Sequence, residues 1–254
     1  MFFWNSSIKV SDSGLLQGYT DHHCHLLPGV DDGVQKHTMT IDLLNLMQKQ
    51  GVKKVWFTPH VMEDMPNTPE SLKEVFDDIL HIIKDNGGCD IELHLAAENM
   101  LDNFFSLPRA KNLPLPDNHL LVETSYFTPP YNMKGMLSEI MADGIYPLLA
   151  HPCRYQYMEE KDYEELREMR LHFQLNIPAV SGLYGEVVQK KSFWLLDHNY
   201  YTFTGTDTHS LSQYQRFLET KLPRKRVKQL EELLGSSAAS CSELCSPEPW
   251  RRTP

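Results

Sequence analysis

Two periods alternate along most of the chain, and together they predict a succession of strands and helices. Residues 38–50 carry Ile41, Leu44 and either Leu43 or Met47 at helical spacing, and Gly51 supplies the left-handed residue that ends a helix. The run Lys54-Val55-Trp56-Phe57-Thr58 predicts a strand that delivers Pro59-His60. Thr68 and Pro69 form an N-cap and first-turn pair for a helix striped by Leu72, Val75, Phe76, Ile79 and Ile83, which stops at Gly87-Gly88. Ile91, Leu93 and Leu95 alternate in a strand running to Glu98, and Leu120-Leu121-Val122 leads to Glu123. Met136, Leu137, Ile140 and Met141 mark a helix closed by Gly144, and the strand after it, 146–150, leads to His151. The pattern continues with helix over 162–171, strand over 173–180, helix over 185–196, and a strand over 201–205 that reaches Thr206-Asp207-Thr208-His209.

Strands alternating with helices of these lengths predict an α/β fold with a mostly parallel sheet, closed as a barrel or open and doubly wound. Because no glycine-rich phosphate loop follows any strand, the barrel is preferred. Length and composition fit one core: 254 residues with 41% hydrophobic content. Residues 1–235 are read as one domain, and 236–254, rich in Ser, Ala, Pro and Cys without periodicity, as a disordered tail. The basic run Arg224-Lys225-Arg226-Val227-Lys228 is expected on the solvated face of a terminal helix.

A net charge of −10 argues against a nucleic-acid or anionic-membrane surface, so an anionic substrate needs local cations. Five cysteines without a paired framework, no apolar run of membrane-spanning length and no signal-peptide pattern in the first twenty residues lead to the expectation of a cytoplasmic protein with reduced thiols.

Candidate chemistry gathers at the ends of the predicted strands. In the extended segment Thr20-Asp21-His22-His23-Cys24-His25, alternation turns His23 and His25 to one side as a two-nitrogen clip, and His22 and Cys24 to the other, as core or as support for the clip. With Asp32, His60, Glu98, Glu123, His151, Asp207 and His209, they make nine nitrogen and oxygen donors. That is more than one zinc uses, and the donor types suit two or three divalent cations such as manganese, iron or zinc. In a parallel barrel, strand-end residues far apart in sequence converge at the C-terminal face. His37, His81, His94, His119, His172 and His198 lie away from strand ends and are read as structural. Spacing alone leaves Asp31 and Asp32 equivalent.

These motifs resemble the PHP (polymerase and histidinol phosphatase) superfamily, and within it the metal-dependent bacterial protein-tyrosine phosphatases of capsule and exopolysaccharide synthesis. The resemblance rests on Asp21-His22-His23-Cys24-His25 with Leu27-Pro28-Gly29-Val30-Asp31-Asp32-Gly33, Thr58-Pro59-His60, Ala97-Glu98, Leu121-Val122-Glu123, Ala150-His151-Pro152 with Arg154-Tyr155, and Thr206-Asp207-Thr208-His209. It implies a distorted (β/α)7 barrel of the TIM type, a trinuclear metal centre with manganese foremost among its candidate ions, and removal of phosphate from phosphotyrosine on an autophosphorylated tyrosine kinase. All nine donors match metal ligands in the family pattern. The match also favours Asp32 over Asp31, makes Glu123 the carboxylate that bridges cations, and gives Arg154 the phosphate. The implied mechanism is attack of a metal-bridging hydroxide on phosphorus without a phosphoenzyme. A second phosphate-binding arginine, expected shortly after the last histidine, is missing from 210–215; Arg216 comes slightly late.

The alternatives are another phosphomonoesterase of the superfamily, such as a histidinol-phosphate phosphatase, and a catalytically weak metal-binding partner of a polysaccharide assembly complex. Tyr126, Phe127, Tyr131, Tyr155 and Tyr157 follow ligand-bearing strands and are candidates to flank a phosphotyrosine ring. A cysteine-nucleophile loop, Cys245 to Arg251, matches C-x5-R in spacing. It is rejected because Pro247 and Pro249 remove N–H donors and Glu248 repels phosphate.

Overall fold

The computed structural model describes residues 6–239. The C-x5-R match, Cys241 and all but 236–239 of the predicted tail lie outside them; residues 236–239 are the last turn of the terminal helix, Arg224–Ala239.

Among the described residues, seven parallel staves form the barrel: β1 (Thr20–Cys24), β2 (Lys54–Phe57, resuming at His60–Val61), β3 (Glu92–Leu95, resuming at Glu98–Met100), β4 (His119–Glu123), β5 (Tyr146–Leu149), β6 (His172–Asn176) and β7 (Tyr201–Gly205). Each pairs in parallel with the next, from Thr20 against Lys54 round to Gly205 against Asn176. The circle closes between β7 and β1, where Asp207 N–H donates to the His23 carbonyl (2.8 Å) and His25 N–H to the Thr208 carbonyl (2.9 Å). Gly205 permits that closure, because a Cβ there would lie 2.4 Å from the Cβ of His23.

Helices α1 (His37–Lys49), α2 (Pro69–Asp85), α3 (Met133–Ala142), α4 (Glu160–Glu168), α5 (Glu186–Asp197), α6 (Leu211–Glu219) and α7 (Arg224–Ala239) accompany the barrel. Thr68 caps α2 by accepting from Ser71 N–H, and Leu72, Phe76, Ile79 and Ile83 are its buried stripe. On α7, Val227 and Leu230 turn inward, while Arg226 pairs with Asp197 and stacks on Phe193. Leu121, Leu148 and Phe203 pack with Ala96, Leu115 and Ala150 in a second apolar cluster, in which Leu121 and Leu148 come from the strands that carry Glu123 and His151 at or just beyond their ends.

Three predicted spans are corrected. The strand over 173–180 ends at Asn176, and Ile177–Val180 is a helical turn. Pro178 favours the first turn of a helix and has no N–H for a ladder. The strand over 91–98 is broken after Leu95, and α4 starts before and stops short of 162–171, with Arg170 in a left-handed conformation beyond it (φ 65°). Helix α6 and a ribbon pairing Ser7–Lys9 with Lys221–Pro223 were not predicted. No helix among the described residues is long and apolar enough to cross a membrane.

Candidate metal centre

All nine predicted donors converge at the C-terminal rim. Each belongs to at least one of four overlapping groups whose donor atoms lie within 4.8 Å of one another: His25, Asp32, His60 and His209; His23, His25 and Asp207; His23, Glu98 and His151; and His60, Glu98 and Glu123. Seven of the nine residues are buried, with Asp32 exposed at the mouth and His209 between. Two of the donors turn sharply off their strands in left-handed conformations, His151 at φ 32° and Asp207 at φ 52°.

Glu98 lies between the imidazoles. Its Oε2 is 3.1 Å from His23 Nε2, 3.3 Å from His25 Nε2 and 3.2 Å from His60 Nδ1, while Oε1 is 3.0 Å from His151 Nε2. Glu123 touches His60 Nδ1 at 2.9 Å and reaches His151 only at 3.7 Å. The carboxylate that enters two groups is therefore Glu98, whereas Glu123, expected to bridge, enters one.

The two adjacent aspartates are separated by their surroundings. Asp31 accepts from His25 Nδ1 (2.8 Å) and from the N–H groups of Gly33 (2.9 Å) and His60 (3.1 Å), so it is consumed in orienting other residues. Gly33 is needed for that turn, since a Cβ there would meet the His25 carbonyl at 2.3 Å. Asp32 instead faces His60 Nε2 (3.5 Å) and His209 Nε2 (3.4 Å). His22 hydrogen-bonds the Thr204 carbonyl and lies edge-on to Phe203, and Cys24 donates to the Trp56 carbonyl. His37, His81, His94, His119, His172 and His198 enter none of the groups.

Several donors point at a shared space instead of at one another. His60 Nδ1, Glu98 Oε2 and Glu123 Oε1 are buried and within 3.2 Å of a neighbour, yet make no hydrogen bond. The Nε2 atoms of His23 and His25 approach to 3.1 Å. Buried polar atoms left unmatched in this way are costly unless a further group satisfies them all, and a cation does so. The donor set fits divalent metal ions.

Protonation follows the same geometry. Burial alone would depress His23, but Glu98 and Asp207 outweigh it and raise it to about 9. His25 is likewise raised well above the usual histidine range, against its burial, by Asp207, Asp31 and Glu98. Glu98 and Asp207, though buried, are held well below the carboxylate range by the facing imidazoles. With Nδ1 engaged elsewhere, the labile protons of His23 and His25 sit on the Nε2 atoms that face the shared space, so proton and cation compete for the same lone pairs. Manganese affinity of the stripped protein is thus expected to rise between pH 6 and pH 8, below the His23 value of about 9, by up to about tenfold per pH unit for each proton displaced. Calorimetry in buffers of different ionisation enthalpy reads the released protons; pH-independent affinity with no proton release would contradict this picture.

Arg154, in the turn Pro152–Arg154 after His151, donates from Nη1 to Asp207 Oδ2 at 2.7 Å. Its guanidinium is clamped between the rings of Tyr126 (4.3 Å) and Tyr184 (4.8 Å). Of the predicted aromatics, Tyr126 is thus at the site, Tyr155 is fully buried and donates to the Ala150 carbonyl, and Tyr157 pairs with Thr124. Phe127 and Tyr131 are exposed on the loop after β4. Arg216 is exposed on α6, whose inward face is Tyr214, Phe217 and Leu218, and no hydrogen bond or ion pair joins it to the cluster.

Three residues at the site escaped sequence reading, Gln174 and Asn176 on β6 and Tyr184; Asp21, quoted in the first motif without a role, accepts from Thr206 N–H (2.9 Å) and Oγ1 (2.6 Å) and so ties β1 to the loop carrying Asp207 and His209. Gln174 and Asn176 end the one stave without a predicted donor, and the expected continuation of that strand to Val180 obscured them.

A parallel barrel with a cluster of many potential metal donors at its C-terminal rim defines the class. Residues 19–230 match the family model described as "Capsular polysaccharide synthesis, CpsB/CapC", and the chain belongs to that family. It is 25% identical to the tyrosine-protein phosphatase YwqE of Bacillus subtilis over 75% of this chain and 77% of the relative, and 29% identical to the tyrosine-protein phosphatase CpsB of Streptococcus pneumoniae over 78% and 86%. It is also 25% identical to the putative tyrosine-protein phosphatase CapC of Staphylococcus aureus, over 85% and 87%. In structure it resembles a chain from the crystal structures of YwqE and CpsB, described as unique metal-dependent tyrosine phosphatases, with a TM-score of 0.69, 22% identity, and coverage of 85% of this chain and 94% of that one. That likeness shows the (β/α) barrel fold.

Proposed function

We propose that this protein is a metal-dependent protein-tyrosine phosphatase whose substrate is phosphotyrosine on a bacterial tyrosine kinase that regulates capsule or exopolysaccharide synthesis, acting in the cytoplasm. The observation that carries the reading is Asp207, whose Oδ1 faces His23 and His25 while its Oδ2 holds Arg154. A phosphate held by Arg154 thereby lies beside the donor cluster.

The nine residues His23, His25, Asp32, His60, Glu98, Glu123, His151, Asp207 and His209 are the proposed ligands, and two or three divalent cations, manganese foremost, the proposed cofactors. Bound there, such ions supply positive charge to phosphoryl oxygens and acidify water at neutral pH. The chain's own part is positional. Arg154 is partly buried, kept charged beside Asp207 and restrained by two aromatic faces, so its remaining N–H groups are presented to a phosphate with little freedom to lose. Arg216 is not part of this proposal, which leaves Arg154 as the one arginine assigned to phosphate.

Initial rates on a tyrosine phosphopeptide, a serine phosphopeptide and histidinol phosphate, with chelator-stripped and manganese-reloaded protein, test the reading. Manganese-dependent turnover favouring phosphotyrosine is expected, with loss in a His151→Ala control. Preference for histidinol phosphate would overturn the substrate, and folded, loaded protein that turns over none of the three would overturn the activity.

A further inference from the structure

Six staves of the barrel deliver donors to the cluster, and β6 delivers two uncharged amides. Gln174 and Asn176 are both fully buried. Gln174 Oε1 accepts from the backbone N–H of His151 at 3.2 Å and faces His23 Nδ1 at 3.1 Å, while its Nε2 donates to the Leu175 carbonyl at 2.7 Å and to Asn176 Oδ1 at 3.0 Å. Asn176 Nδ2 in turn donates to Asp207 Oδ2 at 2.8 Å.

The orientation of both amides is dictated by groups that have no alternative role. A backbone N–H can only donate, so the Gln174 atom facing His151 is the oxygen; a carbonyl can only accept, so the atom facing Leu175 is the nitrogen. Asn176 must then offer its oxygen to Gln174 and its nitrogen to Asp207. Two consequences reach the cluster. His23 must carry a hydrogen on Nδ1, which directs its Nε2 to the space shared with His25 Nε2, Glu98 Oε2 and Asp207 Oδ1. Asp207 Oδ2 is occupied by Asn176 and Arg154, which leaves Oδ1 turned to the same space.

We infer that Gln174 is a positioning residue of the cation site, fixing the tautomer of His23 that leaves Nε2 for an ion, with Asn176 passing the same orientation on to Asp207. This rests on the reading of the cluster as a metal centre. An amide suits the role better than a carboxylate, because one side chain must both accept from His23 and donate toward Asn176. It also adds no charge to a cluster whose four carboxylates already oppose the cations.

The test is manganese affinity and stoichiometry, measured by calorimetry on stripped protein, for wild type, Gln174→Leu and Gln174→Glu, beside the melting temperature of each metal-free protein. Gln174→Leu removes the acceptor and is expected to weaken manganese about 10–100-fold, the range seen when a partner of a metal-bound histidine is lost. Gln174→Glu keeps an acceptor for His23 and is expected to recover at least about tenfold of that loss. Its metal-free melting temperature should nonetheless fall below that of Gln174→Leu, since a buried carboxylate faces the Leu175 carbonyl. A purely structural role predicts the opposite ranking in affinity, with Glu as damaging as Leu or more so. Unchanged affinity in Gln174→Leu, or no recovery in Gln174→Glu, overturns the inference while wild type still binds. Wild type that binds no manganese overturns the metal reading and the inference with it.

Discussion

Glu98→Gln is expected to give a folded protein that retains almost no manganese and loses nearly all activity on a tyrosine phosphopeptide. Gln fills the same volume, so packing around this fully buried side chain changes little. What changes is charge. Glu98 is the one carboxylate within 3.3 Å of four imidazoles, those of His23, His25, His60 and His151. Its anion offsets the positive charge of bound ions, and three of these histidines, His23, His25 and His60, have raised affinity for protons with Glu98 among the causes. Without it the cluster loses a donor from two of its four groups at once. Losing only an outer partner of a metal ligand costs about 10–100-fold, so the loss here should exceed about 100-fold in both manganese affinity and kcat/KM. Metal content after gel filtration, rates on the phosphopeptide and circular dichroism check it together. Glu123→Gln, which touches one group, should do less. Full manganese occupancy in Glu98→Gln would remove Glu98 from the ligand set.

Much of this site could be read in the sequence because a parallel barrel converts strand ends into neighbours. His60, Glu98, Glu123, His151 and Asp207 lie far apart in the chain, yet each follows a short apolar run, and the closed barrel brings those ends together. Spacing could not separate Asp31 from Asp32, because adjacent residues in a loop carry no periodicity, and only the family match favoured Asp32; the fold gives the physical reason, Asp31 being spent on His25 Nδ1 and two backbone N–H groups. Gln174 and Asn176 were missed for a chemical reason. Amides neither titrate nor commonly bind metals, and their value lies in which way they face, which depends on the backbone of His151 and Leu175. Tyr184 was missed because stacking on Arg154 joins segments with no shared pattern. Gly205 was taken as the end of a strand, and its contact with His23 across the closure is a property of the barrel alone.

Arg154→Ala is expected to separate phosphate recognition from metal binding. Arg154 is not among the nine donors, so metal content should remain near wild type. Activity should not. Removal of one preorganised donor to a charged transition state costs about 10²–10³ in kcat, and no second arginine contacts the cluster among the described residues. Arg154→Lys is the sharper variant. It restores the charge but has neither the planar fork that gives two parallel hydrogen bonds to phosphate oxygens nor a flat face to lie between Tyr126 and Tyr184. It should therefore recover less than about tenfold of the alanine loss, even though Asp207 can still pair with an ammonium. Steady-state rates on phosphopeptide and the inhibition constant of inorganic phosphate, both with metal content measured on the same samples, read the two effects separately. Phosphate inhibition should weaken in parallel with kcat/KM. Rates within about threefold of wild type for Arg154→Ala would mean that cations alone hold the phosphate. Lost metal content in Arg154→Ala would instead mean that the pair Arg154–Asp207 serves to keep Asp207 aimed at His23 and His25, so the same samples distinguish the two accounts.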